Sequence, residues 1–240
     1  MIEVRGLCKR FGPVQAVRGV SFAAADGRIT GLLGPNGAGK STTLRMLYAV
    51  LRPDAGEALI DGVSAVHAPR QALRGLGVLS HAAGIYPNLT ARENVLYFAA
   101  LHGLSRAAAR LRTDALLELL EMHDLAGRRA KGFSQGERLK TALARALVHE
   151  PRNVVLDEPT NGLDVMAVRA LRALLRRLRE AGHCVLFSSH VMQEVAALCD
   201  EVVVIGAGAV LASGTPEAIR ARAGGAALED AFVQLIGGPA

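Results

Sequence analysis

Gly34, Pro35, Asn36, Gly37, Ala38, Gly39, Lys40, Ser41 and Thr42 follow one another in a pattern of Gly-x-x-x-x-Gly-Lys-Ser. Glycines at this spacing let successive backbone N–H groups turn inward on a phosphate, at the positive end of a helix. The Lys40 ammonium supplies a point charge to β- and γ-phosphate oxygens, and the Ser41 hydroxyl is a magnesium ligand by type. The flanks agree, with an apolar run over Ile29–Leu33 before the loop and a helical pattern from Ser41 after it. A glycine-rich turn arising by chance does not combine this spacing with Lys-Ser and both flanking elements.

A second group lies at residues 153–159, Asn-Val-Val-Leu-Asp-Glu-Pro. Asn153 to Leu156 suits a buried parallel strand, and Asp157 and Glu158 then stand at its C-terminal edge, where such sheets bind ligands. Asp157 is placed to hold Mg2+, directly or through water, and Glu158 to orient and deprotonate a water for attack on a γ-phosphate. A positioned base of this kind contributes roughly 10²–10⁴ in rate, about 3–5 kcal/mol of barrier. The third group opens a helix. Ser134 reads as an N-cap, and Glu137 completes a capping box. A helix opening on Ser134, Gln135 and Gly136 is also an anion site of hydroxyl, backbone N–H groups and helix dipole. It is expected far from the phosphate loop of its own chain, which points to use in trans by a second chain.

The elements that must hold these groups are legible as alternation. Short β-branched runs alternate with longer helical patterns, which argues an α/β domain with a largely parallel central sheet and antiparallel β strands at the N-terminus. From about Tyr86 to Val148 the alternation stops, and three amphipathic helices in a row suggest an all-helical lobe inserted between sheet strands. Thr215-Pro216 starts a helix in the tail, and Leu228, Phe232 and Ile236 give a second one at helical spacing. The run Val-Val-Val-Ile-Gly-Ala-Gly-Ala-Val imitates a dinucleotide fingerprint but lacks its third glycine, so a hairpin turn between Val204 and Leu211 is expected instead.

The 240 residues suffice for one large domain with a core. Half are hydrophobic and 21% are charged, which excludes general disorder. The net charge of +6 comes mostly from arginines on helical faces, without aromatic platforms for bases, so no nucleic-acid partner is expected. Cys8, Cys184 and Cys199 fit no disulfide or zinc pattern, and Cys8 and Cys184 are expected to be buried thiols. No secretory signal and no membrane span is expected.

Phosphate loop, helix-opening segment, Asp-Glu pair and the later Ser188-Ser189-His190 occur in the order and spacing of the ATP-binding subunits of ABC transporters, which the chain resembles over almost its whole length. The resemblance implies a P-loop NTPase of ABC ATPase type, with ATP and Mg2+ as cofactors. It implies two copies sandwiching two ATP molecules head to tail, each ATP between one copy's phosphate loop and the other copy's signature. That signature is here Phe133, Ser134, Gln135, Gly136 and Glu137; the usual Leu-Ser-Gly-Gly-Gln is kept at the Ser and the second Gly and left at three positions. It assigns Phe11 to stacking on adenine, worth roughly 1–3 kcal/mol. It assigns Asp164 to the loop that touches the partner copy, compatible with a helix N-cap, and His190 to the switch histidine at the γ-phosphate.

Residues 84–95 and the tail segment Leu-Glu-Asp-Ala-Phe-Val-Gln-Leu resemble single-domain, ABC-2-type exporter ATPases, and residues 156–200 resemble the ATPase subunits of bacterial sodium-extrusion transporters. Taken with the residues, this implies an ATPase domain over 2–231, with its helical lobe about 86–148, and a helical tail over 216–240. The expected function is ATP hydrolysis that powers a separate integral membrane permease, an exporter of sodium ions or of drug-like or lipidic cargo. The chain would be cytoplasmic, on the inner face of the membrane through that permease. The rivals are a non-transport ABC ATPase and a nucleotide-dependent regulator. One departure stands out. After the strand Leu76–Leu79 the family has a glutamine whose oxygen reaches magnesium and the attacking water, whereas here the position holds His81. A neutral imidazole offers one acceptor nitrogen and becomes donor-only when protonated, near pH 6.5 if unperturbed. His81 is therefore a candidate switch residue and a further candidate metal ligand, and coupling is expected to weaken as pH falls.

Overall fold

The computed structural model describes residues 1–80, 84–222 and 228–237. Its strands are of two kinds. In β1 (Ile2–Phe11) and β2 (Val14–Ala24) buried and exposed positions are interleaved, and with β4 (Ala55–Ile60) and β5 (Val63–Ser64) these strands form an antiparallel sheet in the order β2-β1-β4-β5. The strands β3 (Ile29–Leu33), β6 (Leu76–Leu79), β7 (Asn153–Asp157), β8 (Cys184–Ser189) and β9 (Glu201–Gly206) are covered on both faces and pair in parallel, as near-continuous apolar runs do. Antiparallel β10 (Ala209–Gly214) completes the six-stranded order β10-β9-β3-β8-β7-β6. The β9–β10 hairpin turns through Ala207-Gly208, inside the span expected from the sequence.

The register sets the working edge of the larger sheet. Leu33 lies opposite Ser189, Asp157 opposite Ser188, and Leu79 opposite Leu156. The C-terminal ends of β3, β8, β7 and β6 therefore finish side by side. Each feeds one of the segments singled out above.

Helix α1 (Lys40–Leu47) follows β3, and a short α2 (Pro69–Ala72) precedes β6. Between β6 and β7 come α3 (Ala91–Leu101), α4 (Arg106–Leu119) and α5 (Gln135–Leu147). Beyond β7, α6 (Val165–Glu180) buries Leu171, Leu174, Leu175 and Leu178 on one face, with its arginines on the other. It is followed by α7 (Met192–Leu198), α8 (Pro216–Arg222) and α9 (Leu228–Gly237). The helical pattern over residues 105–125 breaks earlier than its apolar spacing suggests. Glu121 takes φ 52°, its N–H bonds the Glu118 carbonyl, and the Met122 N–H bonds that of Leu117. That is a Schellman stop, with buried Met122 as its apolar contact.

Alternation along β7 divides the core. Val154 and Leu156 join a cluster with α6 and the helices of residues 91–147, while Val155 joins one with α1 and the antiparallel sheet. Cys184 and Cys199 are buried, but Cys8 is only half-buried, because β1 belongs to the smaller sheet with one face partly open. Burial pushes the Cys184 thiol up to about 11. Among the described residues no helix is long and apolar enough to cross a membrane.

Candidate active site

The phosphate loop leaves β3 and turns into α1 at Gly39, which holds φ 102°. A Cβ at Gly39 would sit 2.6 Å from the Ala16 carbonyl oxygen, so only glycine fits both the backbone angle and the close approach of β2. Residues 36–42, with Ala16, Glu158 and Asn161, line a polar cleft of about 450 Å3. Gly34 and Pro35 lie outside that lining. Their carbonyls accept from Lys40 Nζ at 2.8 and 3.2 Å, which fixes the ammonium, only 5% exposed, beneath the loop. Phe11 ends β1 and is 49% exposed, so it is no core residue; the cleft lining on this side comes from Ala16.

Asp157 ends β7 and is 2% exposed. Its Oδ1 accepts from Ser41 Oγ at 2.9 Å and from Ser188 Oγ at 2.7 Å. Its Oδ2 is buried with no protein partner. An ionised carboxylate with one oxygen unsatisfied, beside a serine hydroxyl, is a donor set that suits a hard divalent cation. Ser41 and Asp157 therefore fit a magnesium ion. Among the described residues no group of three or more His, Cys, Asp or Glu side chains forms a metal cluster.

Glu158 carries φ 51°, the left-handed region that a non-glycine residue occupies at a cost of about 1–3 kcal/mol. The Glu158 N–H donates to Ser188 Oγ at 2.9 Å, which helps hold this backbone. Its carboxylate is nearly buried and meets Lys40 Nζ through Oε1 at 3.1 Å and His190 Nδ1 through Oε2 at 2.7 Å. Thus the phosphate-loop lysine, the glutamate at the end of β7 and the histidine after β8 converge on one carboxylate. His81 lies outside the described residues; Ser80, just before it, lines a cavity with Asp157 and Glu158.

The signature segment keeps its capping box. Ser134 Oγ accepts from the Glu137 N–H at 3.3 Å, and Glu137 Oε2 accepts from the Ser134 N–H at 2.7 Å. The other Glu137 oxygen pairs with Arg128 at 2.9 Å, so the whole carboxylate is occupied. The Ser134 N–H and Arg128 hold this carboxyl below the usual carboxylate range. Phe133 is buried, and Gly136 faces a separate cavity between α5 and α6. Ser134 and Gly136 do not line the phosphate cleft, but Gln135 lies closer to the catalytic edge than the sequence led us to expect. Its Nε2 donates to the Asn161 carbonyl at 2.8 Å, three residues beyond Glu158. Gly162 makes the room, since a Cβ there would stand 2.5 Å from that nitrogen. Asp164 caps α6, accepting the Ala167 N–H at 2.8 Å, and exposed Val165 and Met166 follow it.

Sequence reasoning gave no role of their own to two participants, Ser188 and Asn161. The first is a small strand residue and the second a loop residue, and only the strand register and the turn after Glu158 give them one.

The sequence matches the family model for ABC transporters over residues 17–161. It is 42% identical over 224 residues to the ABC transporter ATP-binding protein NatA of Bacillus subtilis (strain 168), covering 91% of each chain. It is 40% identical over 218 residues to the Nod factor export ATP-binding protein I of Burkholderia orbicola (strain AU 1054), covering 91% of this chain and 72% of that one. A solved ATP binding subunit of an ABC transporter superposes with a TM-score of 0.89 at 30% identity, over 98% of this chain and 99% of that one. The cassette MJ0796, solved as a dimer in a post-hydrolysis state bound to ADP and Pi, superposes with a TM-score of 0.79 at 25% identity, over 90% and 98% of the two chains. On these likenesses the chain belongs to the ABC transporter family, among its ATP-binding, ATP-hydrolysing subunits.

Proposed function

We propose that two copies of this chain close on two ATP molecules, hydrolyse them with Glu158 as general base, and drive a separate membrane permease in the export direction. The observation that carries this reading is the convergence of Lys40 and His190 on the Glu158 carboxylate, one residue from the half-satisfied Asp157. Lys40 is the group that phosphate oxygens attract most strongly, and here it is shared with Glu158. Nucleotide phosphates compete for the ammonium and free one carboxylate oxygen to orient and deprotonate water. His190 is placed to hold the other oxygen, or to turn its ring to the γ-phosphate. Ser41 and Asp157 would hold magnesium, which would supply positive charge to the phosphate oxygens.

The two-copy arrangement is supported by the signature. Ser134 and Gly136 do not line their own cleft, and the Ser134 N–H is taken by Glu137, which leaves the Ser134 hydroxyl proton and the Gly136 N–H to offer to a nucleotide on another copy. The apolar pair Val165 and Met166, 74% and 70% exposed beside Asp164, suits contact with that copy. The permease reading is supported by an apolar groove of about 320 Å3 lined by Tyr48, Val50, Val78, Ser80 and Phe98, flanked by exposed Tyr97 and Leu101. We read this groove, which Ser80 helps to line, as the seat of an apolar segment of a permease, the reading under which the chain works at the inner membrane face. The export direction rests on likeness to the Nod factor export subunit and on the exporter-like segments of the sequence. Candidate cargoes are sodium ions and drug-like or lipidic molecules. Co-expression with whichever multi-span membrane protein is encoded next to this chain tests the proposal. The expected result is co-purification and ATP-dependent cargo movement in vesicles; failure of the two to associate would contradict it.

A further inference from the structure

Glu194, in the first turn of α7, is 8% exposed, and its carboxylate has no part in the site described above. Its Oε2 accepts two hydroxyl donors: Thr160 Oγ1 at 2.7 Å and Ser189 Oγ at 3.1 Å. Thr160 lies two residues after Glu158 and Ser189 immediately before His190. Ser189 Oγ in turn accepts the Val191 N–H at 3.0 Å, so the turn that carries His190 is tied on both sides. We propose that Glu194 is a positioning residue for ATP hydrolysis: one buried carboxylate oxygen clamps the Glu158 loop to the His190 loop and so sets the 2.7 Å contact between them.

The chemistry suits the task. An ionised carboxylate only accepts, and both neighbours are hydroxyl donors. Hydrogen bonds to a charged acceptor are about twice as strong as neutral ones, and more so in a buried site. Glu158 sits in left-handed backbone, Pro159 has no N–H to anchor the turn, and His190 is 39% exposed at the side chain. Neighbouring Ser188 faces the other way and serves Asp157 and the Glu158 N–H. Successive serines of β8 thus fix the carboxylate pair from one side and the loop clamp from the other.

This inference rests on the ATPase reading. The test is steady-state phosphate release with Mg-ATP, together with ATP affinity and melting temperature, for wild type, Glu194→Ala, Glu194→Gln, Thr160→Val and Ser189→Ala. Glu194→Ala is expected to lower kcat by about 10- to 100-fold, since small misplacements of catalytic groups carry costs of that size. Thr160→Val and Ser189→Ala should each lower it about 3- to 10-fold, each losing one hydrogen bond to a charged group. ATP affinity should stay within about threefold in all of these, because the phosphate loop is untouched. Glu194→Gln keeps an acceptor oxygen and should rescue most of the turnover. If Glu194→Ala does not fold, the two hydroxyl variants decide. Wild-type kcat in Thr160→Val and Ser189→Ala, or a kcat loss that merely tracks a loss of ATP affinity, overturns the clamp while the ATPase assignment stands. A wild-type chain without turnover overturns both.

Discussion

Lys40 is buried, yet it makes two carbonyl contacts and one carboxylate contact, so its charge is held in place before any phosphate arrives. Lys40→Ala should therefore weaken ATP binding by about 10- to 100-fold, the range of a hydrogen bond to a charged group. Titration with a fluorescent ATP analogue would measure it, and unchanged affinity would contradict the role given to the loop. At this scale the sequence was informative wherever chemistry follows from local spacing. Lys40, Ser41, Asp157 and Glu158 were read from short motifs, and the fold places them together. Thr160 and Glu194 were invisible for a physical reason. They meet across 34 residues, and a glutamate in the first turn of a helix reads as a favourable dipole contact in solvent rather than a buried acceptor.

Helices here start on side-chain caps that the sequence declares: Thr90 with Glu93, Ser134 with Glu137, and Asp164. Ser134→Ala should cost about 1 kcal/mol, roughly 2–4 °C in melting temperature for a chain of this size, in addition to any catalytic effect. Glu137→Gln can still accept the Ser134 N–H and should change stability by less than about 1 kcal/mol, as expected for an exposed pair with Arg128. Strands β4 and β5 were not anticipated. β4 begins with three open positions and has Gly56 at φ 85°, so its apolar signal is only the buried Ala58-Leu59-Ile60, and β5 is two residues long. The junction of α3 and α5 with β6 has a titrating element of its own. His149 stacks on His102 with ring centroids 3.7 Å apart, donates through Nε2 to the Leu76 carbonyl at 3.1 Å, and lines the apolar groove with Arg145. Burial, then the charge of His102, depress the His149 pKa from 6.5 to about 4. The unfolded chain therefore binds a proton near pH 6.5 that the folded chain refuses until about pH 4. Stability should fall as pH drops through that window and level off below it. His149→Gln should flatten the fall in a melting-temperature series; an unchanged slope would contradict the assignment.

At the scale of the molecule, the function follows from one sheet edge. Four parallel strands end together, so four segments far apart in sequence, after residues 33, 79, 157 and 189, meet within hydrogen-bonding reach of one another or of a shared cavity. The α/β class, the helical stretch between β6 and β7 and the hairpin of β9 and β10 were legible, because each rests on local periodicity and turn chemistry. Strand order was not, because it depends on pairings between strands separated by up to 171 residues, such as β3 with β9. The second copy proposed above rests on what the single chain leaves undone: Ser134 and Gly136 lie outside the lining of their own cleft, and an apolar pair is exposed beside the loop after Glu158. The most direct test of this account is a paired measurement on wild type and Glu158→Gln: phosphate release with saturating Mg-ATP, and molecular mass in solution with and without ATP. The account predicts that Glu158→Gln binds ATP, shifts from monomer mass to a stable dimer mass, and hydrolyses at least about 100-fold more slowly. Undiminished turnover, or a Glu158→Gln chain that stays monomeric with ATP bound, would contradict it.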